Sequence, residues 1–503
     1  MNFLGLDLGA SSLKASLINA DGQVLASARA PVKTAMPQPG WAEQNPEDWL
    51  AALASVLTEL RTHHADALQH LAGISVTAGT HIAVLCDAAG QPLRPAILWS
   101  DQRAADIMQS LETDAAEITA LSLHRPNPTW TLAHLKWLSE YEPATLAATR
   151  HLLPAKDWLR RHLTATPAAE TATDLSDAVG SQLYDAATGK PGPQLCEIAG
   201  ITPDILPPVH EATAMAGTLD PALAGLYDLP ADIPVYVGAI DTSAELLAAG
   251  VTQSGQATLK LASAGVLSVC VDSAMSLPPV SCYPQAGQDC YPQAGQGWYL
   301  AAGMNSCTTA LDWLAENFLN ATPLQEMTDR AAGLPIGAEG VMFHPYLQGE
   351  RAPHWDPDLT ACLSGLTRGA GHGHIARAGF EGIAMALLDI RRDMQKHFSP
   401  KDKTALKTES KTEIKEFVLL GGGAQNAFWG QMIADSQNSI VHVPAAPDAA
   451  YGAALLAAMG QGKITRADIP GIVQFTASYR PDPAAHKQYE AVFQRYDQLR
   501  QKL

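Results

Sequence analysis

The sequence predicts an α/β protein built from two related halves, and three observations carry that prediction. The chain has 503 residues, too many for one core of ordinary size, so two or three domains are expected. It opens on short β-prone runs joined by small-residue turns. The same succession of strand, small-residue turn and strand starts again past residue 250, in QATLKLASAGVLSVCVD.

The elements follow in order. Residues 2–8, 13–18 and 23–28 read as strands, separated by GASS and by NADGQ, the second an Asp-Gly hairpin signal. PEDWLAALASVLTEL (46–60) has helical spacing with Pro46 near its start, and GISVTA is the next buried strand. Further helices are expected at 102–112, 131–140 and 155–163. PVYVGAIDTSAELLAAGV (234–251) passes from a β-rich run into an Ala- and Leu-rich helix, which places the junction of the halves near 245–255.

Composition removes several classes of function. Lys and Arg total 33 against 51 Asp and Glu, a formal charge of −18, which argues against a nucleic-acid or anionic-membrane surface. Seven cysteines, with no CxxC pair, read as reduced thiols of a cytoplasmic protein. The start MNFLGLDLGASS enters a strand pattern without a basic leader, and no uncharged apolar run approaches ~18 residues. Two stretches stand apart. CYPQAGQ at 282–288 recurs at 290–296 and is expected to be a duplicated surface loop; SPKDKTALKTESKTEIKEF (399–417) reads as a solvated insertion.

Three segments could carry chemistry. In GLDLGASS, Gly9 lets backbone N–H groups approach an anion and Ser11 and Ser12 add hydroxyls, whereas Asp7 belongs beside phosphate only with a divalent cation between them. Taken alone, the stretch reads rather as a hairpin with a buried capping Asp. FVLLGGGAQNAFWGQMIAD (417–435) has an apolar strand, three glycines and a helix-compatible run, a place for a flat ligand or simply a tight turn. Asp241 follows VYVGAI as either a helix N-cap or a carboxylate able to take a proton from an attacking hydroxyl.

Taken together, GLDLGASSLKASLIN, GWAEQNPEDWLAAL, PAILWSDQRA, LLPAKDWLRRHLT, ATDLSDAVGSQLYD, GAIDTSAELLAAG, LKLASAGV, HPYLQGERAPHWDP, LLGGGAQNAFWGQMIAD and AAYGAALLA resemble, in this order, the FGGY family of carbohydrate kinases, most closely its xylulokinase members. The resemblance implies an α/β fold of the actin, hexokinase and Hsp70 kind, ribonuclease H-like, with two domains (1–249 and 250–503) around a cleft. It implies ATP and Mg²⁺ as cofactors and transfer of the γ-phosphoryl group to a ketose hydroxyl, with D-xylulose to D-xylulose 5-phosphate as the first expectation. Alternatives are a kinase for ribulose, erythrulose, gluconate or a polyol, or an actin- or Hsp70-like ATPase. The expected partners are the sugar and ATP, without nucleic acid or membrane, and a homodimer is a possible assembly.

By the same resemblance Asp241 is the catalytic base, and Asp7 organises Mg²⁺ through water. Gly9 and Ser11 form the first phosphate turn, Ser263 and Gly265 the second, and Gly421, Gly422, Gly423 and Asn426 the adenosine segment. Thr80 and His81 take the place of a Met-His pair that contacts ketose, with His81 donating to a sugar oxygen. In LWSDQR, Trp99, Asp101 and Arg103 read either as further sugar-side residues or as a core Trp and an Asp/Arg pair that fixes a loop. Glu350 and Arg351 are expected to form an ion pair holding a loop. The chain departs from the family pattern at Ala10, Ala262 and Ala264 in the phosphate turns, and at Thr80 and Ile82 in the sugar segment.

Overall fold

The computed structural model describes residues 1–287, 297–397 and 414–503. The second CYPQAGQ copy and most of the 399–417 stretch lie outside them. The predicted opening meander is present as β1 (Asn2–Leu8), β2 (Ser12–Asn19) and β3 (Val24–Pro31). Its second turn closes because the Asn19 carboxamide accepts the N–H groups of Asp21 and Gln23, an Asx turn. With β4 (Leu71–Ala78), β5 (Met215–Thr218) and β6 (Pro234–Tyr236), these strands form a six-stranded sheet in the order β5-β6-β4-β1-β2-β3. β1 runs antiparallel to β2 and parallel to β4, which is parallel to β6.

The second half repeats this plan. β7 (Ala257–Leu261), β8 (Gly265–Val271), β9 (Ser281–Pro284), β10 (Trp298–Met304), β11 (Glu416–Leu420), β12 (Ile440–Pro444) and β13 (Phe475–Tyr479) form a seven-stranded sheet ordered β9-β10-β8-β7-β11-β12-β13. Its first strand, β7, is again antiparallel to the next and parallel to β11. The first CYPQAGQ copy corrects its expected place. It is no surface loop: Cys282 and Tyr283 lie in edge strand β9, and Cys282, Tyr283, Gln285 and Ala286 are buried.

Around the sheets lie the helices α1 (Pro46–Leu68), α2 (Ala155–Thr164), α3 (Leu175–Gly180), α4 (Asp241–Ala248), α5 (His372–His397), α6 (Ala427–Gln437) and α7 (Ala449–Gly460). α1 outruns its expected end: the apolar stripe Trp49, Leu53, Val56, Leu57, Leu60 stops there, and beyond a kink at His64 a last turn brings Leu68 back into the core. The helices expected at 102–112 and 131–140 appear as a 3₁₀ turn Arg103–Ile107 running into Met108–Thr113, and as Thr131–Tyr141. α5 lies in the core of the second sheet.

Two helices tie the halves together by crossing over. α7 packs against β1, β2 and β4 of the first sheet. α4 sends Leu246 to Val418 and Leu420 of the second. The two helices touch so closely that a Cβ on Gly452 would lie 1.9 Å from the Ala244 carbonyl oxygen. Among the described residues no helix is long and apolar enough to cross a membrane.

Candidate active site

Because β1, β4 and β6 are parallel, their C-terminal ends open on one side of the first sheet, where α/β folds commonly bind ligands. Asp7 is the second-last residue of β1, registered against Lys14 on β2 and Thr77 on β4. Ala78, ending β4, bridges Ile240, the residue before Asp241. The sugar-side segment and the candidate base are thereby neighbours: a Cβ on Gly79 would lie 3.5 Å from Trp99 Cδ1, 3.7 Å from Asp241 Oδ2 and 3.7 Å from Ile82 Cδ1. Trp99 is half exposed here.

Asp241 is the first residue of α4, and Ile240 is the cap. Its Oδ1 accepts the Thr242 amide at 2.6 Å and the Thr242 hydroxyl at 3.2 Å, while Oδ2 faces Gly79. One oxygen serves the helix terminus and the other the cleft. Burial, and then the charge of Glu245 one turn along α4, push the Asp241 carboxyl up to about 6 against the pull of Lys260. Lys260 is paired with Glu245 at 2.6 and 2.9 Å. Burial, and then Asp241, push Asp7 up to about 8, with Lys14 opposing. A carboxyl so held binds a proton readily and would bind a cation in its place. Among the described residues no three His, Cys, Asp or Glu side chains are grouped to cage a metal. The donor set suits an ion such as Mg²⁺ that keeps waters and takes phosphate oxygens.

His81 is buried, in a left-handed backbone conformation (φ 68°), and stacked on Trp130 at 4.0 Å. Its Nδ1 lies 2.7 Å from the Gly180 carbonyl. A carbonyl can only accept, so Nδ1 carries the proton. Burial lowers the ring to about 3, so His81 is neutral and Nε2, 3.3 Å from the Tyr283 hydroxyl, accepts. Nδ1–H is held by Gly180 and Nε2 by Tyr283, so neither ring nitrogen offers the N–H expected to donate to a sugar oxygen. The Thr80 hydroxyl turns to Asp177 Oδ1 at 3.3 Å.

Asp101 is corrected outright. It is fully buried, its Oδ2 accepts the Ala42 amide at 2.5 Å, and both oxygens pair with the Arg103 guanidinium at 2.8–2.9 Å. It holds a loop and offers nothing to a sugar. Glu350 also differs from expectation: it accepts the backbone N–H groups of Arg351 and Asn305 rather than pairing with the guanidinium, and burial raises it to about 7.

The phosphate turns are held internally. The Gly9 amide donates to the Ser12 carbonyl at 3.0 Å and closes the turn, while Ser11 is exposed. The exposed Ser263 is fixed through its carbonyl, which accepts from the Cys307 amide and the Thr309 hydroxyl. Gly265 lies under Met304, 2.8 Å from where its Cβ would be. Gly421 has φ +83°, and a Cβ there would lie 2.4 Å from the Leu261 carbonyl, so the glycine run abuts the end of β7 and its turn. Gly422 faces open space, and Gly423 packs on Trp429. Asn426 caps α6 through the Trp429 amide at 3.1 Å and donates to Thr328 at 2.7 Å.

Sequence reading missed Glu245, Lys260, Asp177, Trp130 and Tyr283. Glu245, four residues after Asp241, had a helical signal. Tyr283 had none, because it reaches His81 across 202 positions.

Comparison with known proteins gives a consistent picture. The profile of the N-terminal domain of the FGGY family of carbohydrate kinases matches residues 2–248, and that of its C-terminal domain residues 278–461. The xylulose kinase of Klebsiella pneumoniae is 30% identical over 485 residues, 95% of this chain and 94% of that protein. A crystal structure of a xyloylose kinase from Brucella ovis superimposes with a TM-score of 0.89 at 28% identity, covering 99% of this chain and 98% of the other. The xylulose kinase structure from Rhodospirillum rubrum gives 0.87 at 28%, covering 100% and 99%.

Proposed function

The chain belongs to the FGGY family of carbohydrate kinases, and from that premise we propose that it phosphorylates D-xylulose to D-xylulose 5-phosphate with Asp241 as the general base. That it is a sugar kinase follows from the family, as does its use of ATP. The observation that supports the finer reading is that a Cβ on Gly79 would lie 3.5 Å from Trp99 Cδ1 and 3.7 Å from Asp241 Oδ2, which sets a proton acceptor beside the sugar-side segment.

In this reading residues 1–249 hold the sugar and 250–503 the nucleotide, with α4 and α7 exchanged between them. The ketose lies against Trp99, while His81, held by Gly180 and Tyr283, stands behind the sugar segment. The terminal hydroxyl faces Asp241 Oδ2, which takes its proton as the oxygen attacks the γ-phosphorus and ADP leaves. Asp7 would hold magnesium through water, and the ion would there neutralise phosphate charge. The turns at 9–11 and 262–265 flank the phosphates, and the open face of Gly422 admits the adenosine. Little covalent work falls to the protein, so catalysis rests on placement.

Initial rates of ATP consumption over pentuloses, tetruloses, pentitols and gluconate test the substrate. D-xylulose is expected to have the highest kcat/KM; another member of the panel exceeding it by about 10²-fold would remove D-xylulose and leave the sugar-kinase class. Asp241→Asn is expected to lower kcat by about 10² or more. If it keeps more than about half of the wild-type kcat at saturating substrates, Asp241 is only a helix-terminal residue.

A further inference from the structure

We propose that helix α3 is a bracket that sets the base against the sugar, with Ser176 as the positioning residue that acts on Asp241. The proposal rests on the reading of Asp241 as base and goes beyond it, because Ser176 touches neither substrate nor Asp241 itself.

One arm of the bracket grips the sugar segment. Asp177 accepts the Thr80 hydroxyl at 3.3 Å, and the Gly180 carbonyl accepts His81 Nδ1–H at 2.7 Å. The approach is so close that a Cβ on Gly180 would sit 2.3 Å from Thr80 Oγ1. The other arm grips the base. The Ile240 amide donates to Ser176 Oγ at 3.1 Å, and Ile240 caps the helix that Asp241 begins.

The direction of that hydrogen bond is enforced from behind. Asp174 accepts both the amide and the hydroxyl proton of Ser176, so the hydroxyl turns a lone pair to Ile240. Lys156, fully buried, holds Asp174 at 3.1 Å and Asp157 at 2.8 Å. Arg160, beside it, donates to the Val237 carbonyl at 2.6 Å and to the Ala172 carbonyl at 2.6 Å. The segment Val237–Ile240 that delivers Asp241 is thus pinned at both ends from one buried cluster. Two cations and three carboxylates are costly to desolvate, and apolar residues of like volume would stabilise the core as well or better. What apolar residues could not do is hold those backbone groups in place.

The two arms predict separable effects. Ser176→Ala is expected to lower kcat about tenfold or more, since an ångström of misplacement at a reacting group costs about 10². Its sugar Kd, measured calorimetrically with D-xylulose and without nucleotide, should stay within about twofold of wild type. Ser176→Thr, which keeps the hydroxyl, should restore kcat to within about threefold. A kcat for Ser176→Ala within about twofold of wild type, or a loss of sugar affinity in step with kcat, overturns the proposal. If Ser176→Ala does not fold, Ser176→Thr decides: near wild-type kcat supports the bracket, and a tenfold loss with unchanged melting overturns it. An inactive Asp241→Asn beside an unaffected Ser176→Ala rejects the bracket alone, whereas an active Asp241→Asn rejects the base.

Discussion

Replacing Gly452 by alanine tests whether the crossed helices set the cleft. The added Cβ would sit 1.9 Å from the Ala244 carbonyl oxygen and 2.6 Å from its carbon, against a floor of 3.0 Å for real Cβ contacts. α4 and α7 must therefore separate by at least 1.1 Å at that point. α7 is seated on β1 and β4, so the displacement falls on α4, whose first residue, three positions before Ala244, is Asp241. Overpacking of this kind costs about 1–3 kcal/mol, partly offset by about 1 kcal/mol from the better helix propensity of alanine. Stability should fall modestly, while kcat falls about 10²-fold because the base moves by about an ångström relative to the sugar segment. The assay pairs urea unfolding with kcat at saturating sugar and MgATP. Gly225→Ala, whose Cβ would meet no atom within 4 Å, is the control. A Gly452→Ala enzyme with kcat within about threefold of wild type would refute the claim that this contact places Asp241.

The wild-type kcat/KM should drop as pH falls through about 6, where Asp241 of the free enzyme takes up a proton, and a profile flat from pH 5 to 8 counts against its role. The folded chain holds the Asp7 proton that the unfolded chain releases near 4, so the stability of the ligand-free protein relative to Asp7→Asn should decline as pH rises from about 4 to about 8, a comparison that cancels the opposite slope of the buried His81, His124 and His134; paired denaturant midpoints measure it, and a difference moving in favour of the wild type as pH rises contradicts it. Asp7→Ala should raise the magnesium concentration needed for half-maximal rate while sugar Kd is little changed, and an unaltered magnesium titration would return Asp7 to a structural role. Asp101→Asn should cost about 3–5 kcal/mol of stability by breaking its buried pair with Arg103, with sugar KM unaffected; a selective rise in KM would restore Asp101 to the sugar site.

What could be read in the sequence was local. The first three strands, the Asx-closed turn and the helical stripe from Pro46 depend on neighbours a few positions away, and their signals survive translation into structure. The repeat of the sheet plan was visible for the same reason, since each half opens on the same succession of strand, small-residue turn and strand. The exchange of α4 and α7 was not visible, because a helix with an apolar face does not record which sheet it will cover. The first CYPQAGQ copy misled in a related way: Pro, Gln and Gly suit a loop, but pairing with β10 made a buried strand that carries Tyr283 to His81.

Asp101 and Asp241 show where local reading ends. Each follows a β-prone apolar run and precedes small or polar residues, so the sequence left each open to a structural or a chemical role. Their difference is set by what approaches from elsewhere. Asp101 finds Arg103 two residues on and the Ala42 amide from 59 positions away, and this uses both its oxygens. Asp241 finds the Thr242 amide for one oxygen, while the glycine at 79, by lacking a side chain, leaves space before the other. A carboxylate becomes available for chemistry when its surroundings satisfy half of it and leave the other half open to the cleft. That condition depends on the tertiary approach of β4 to α4, and the Ala78–Ile240 bridge is where the fold imposes it.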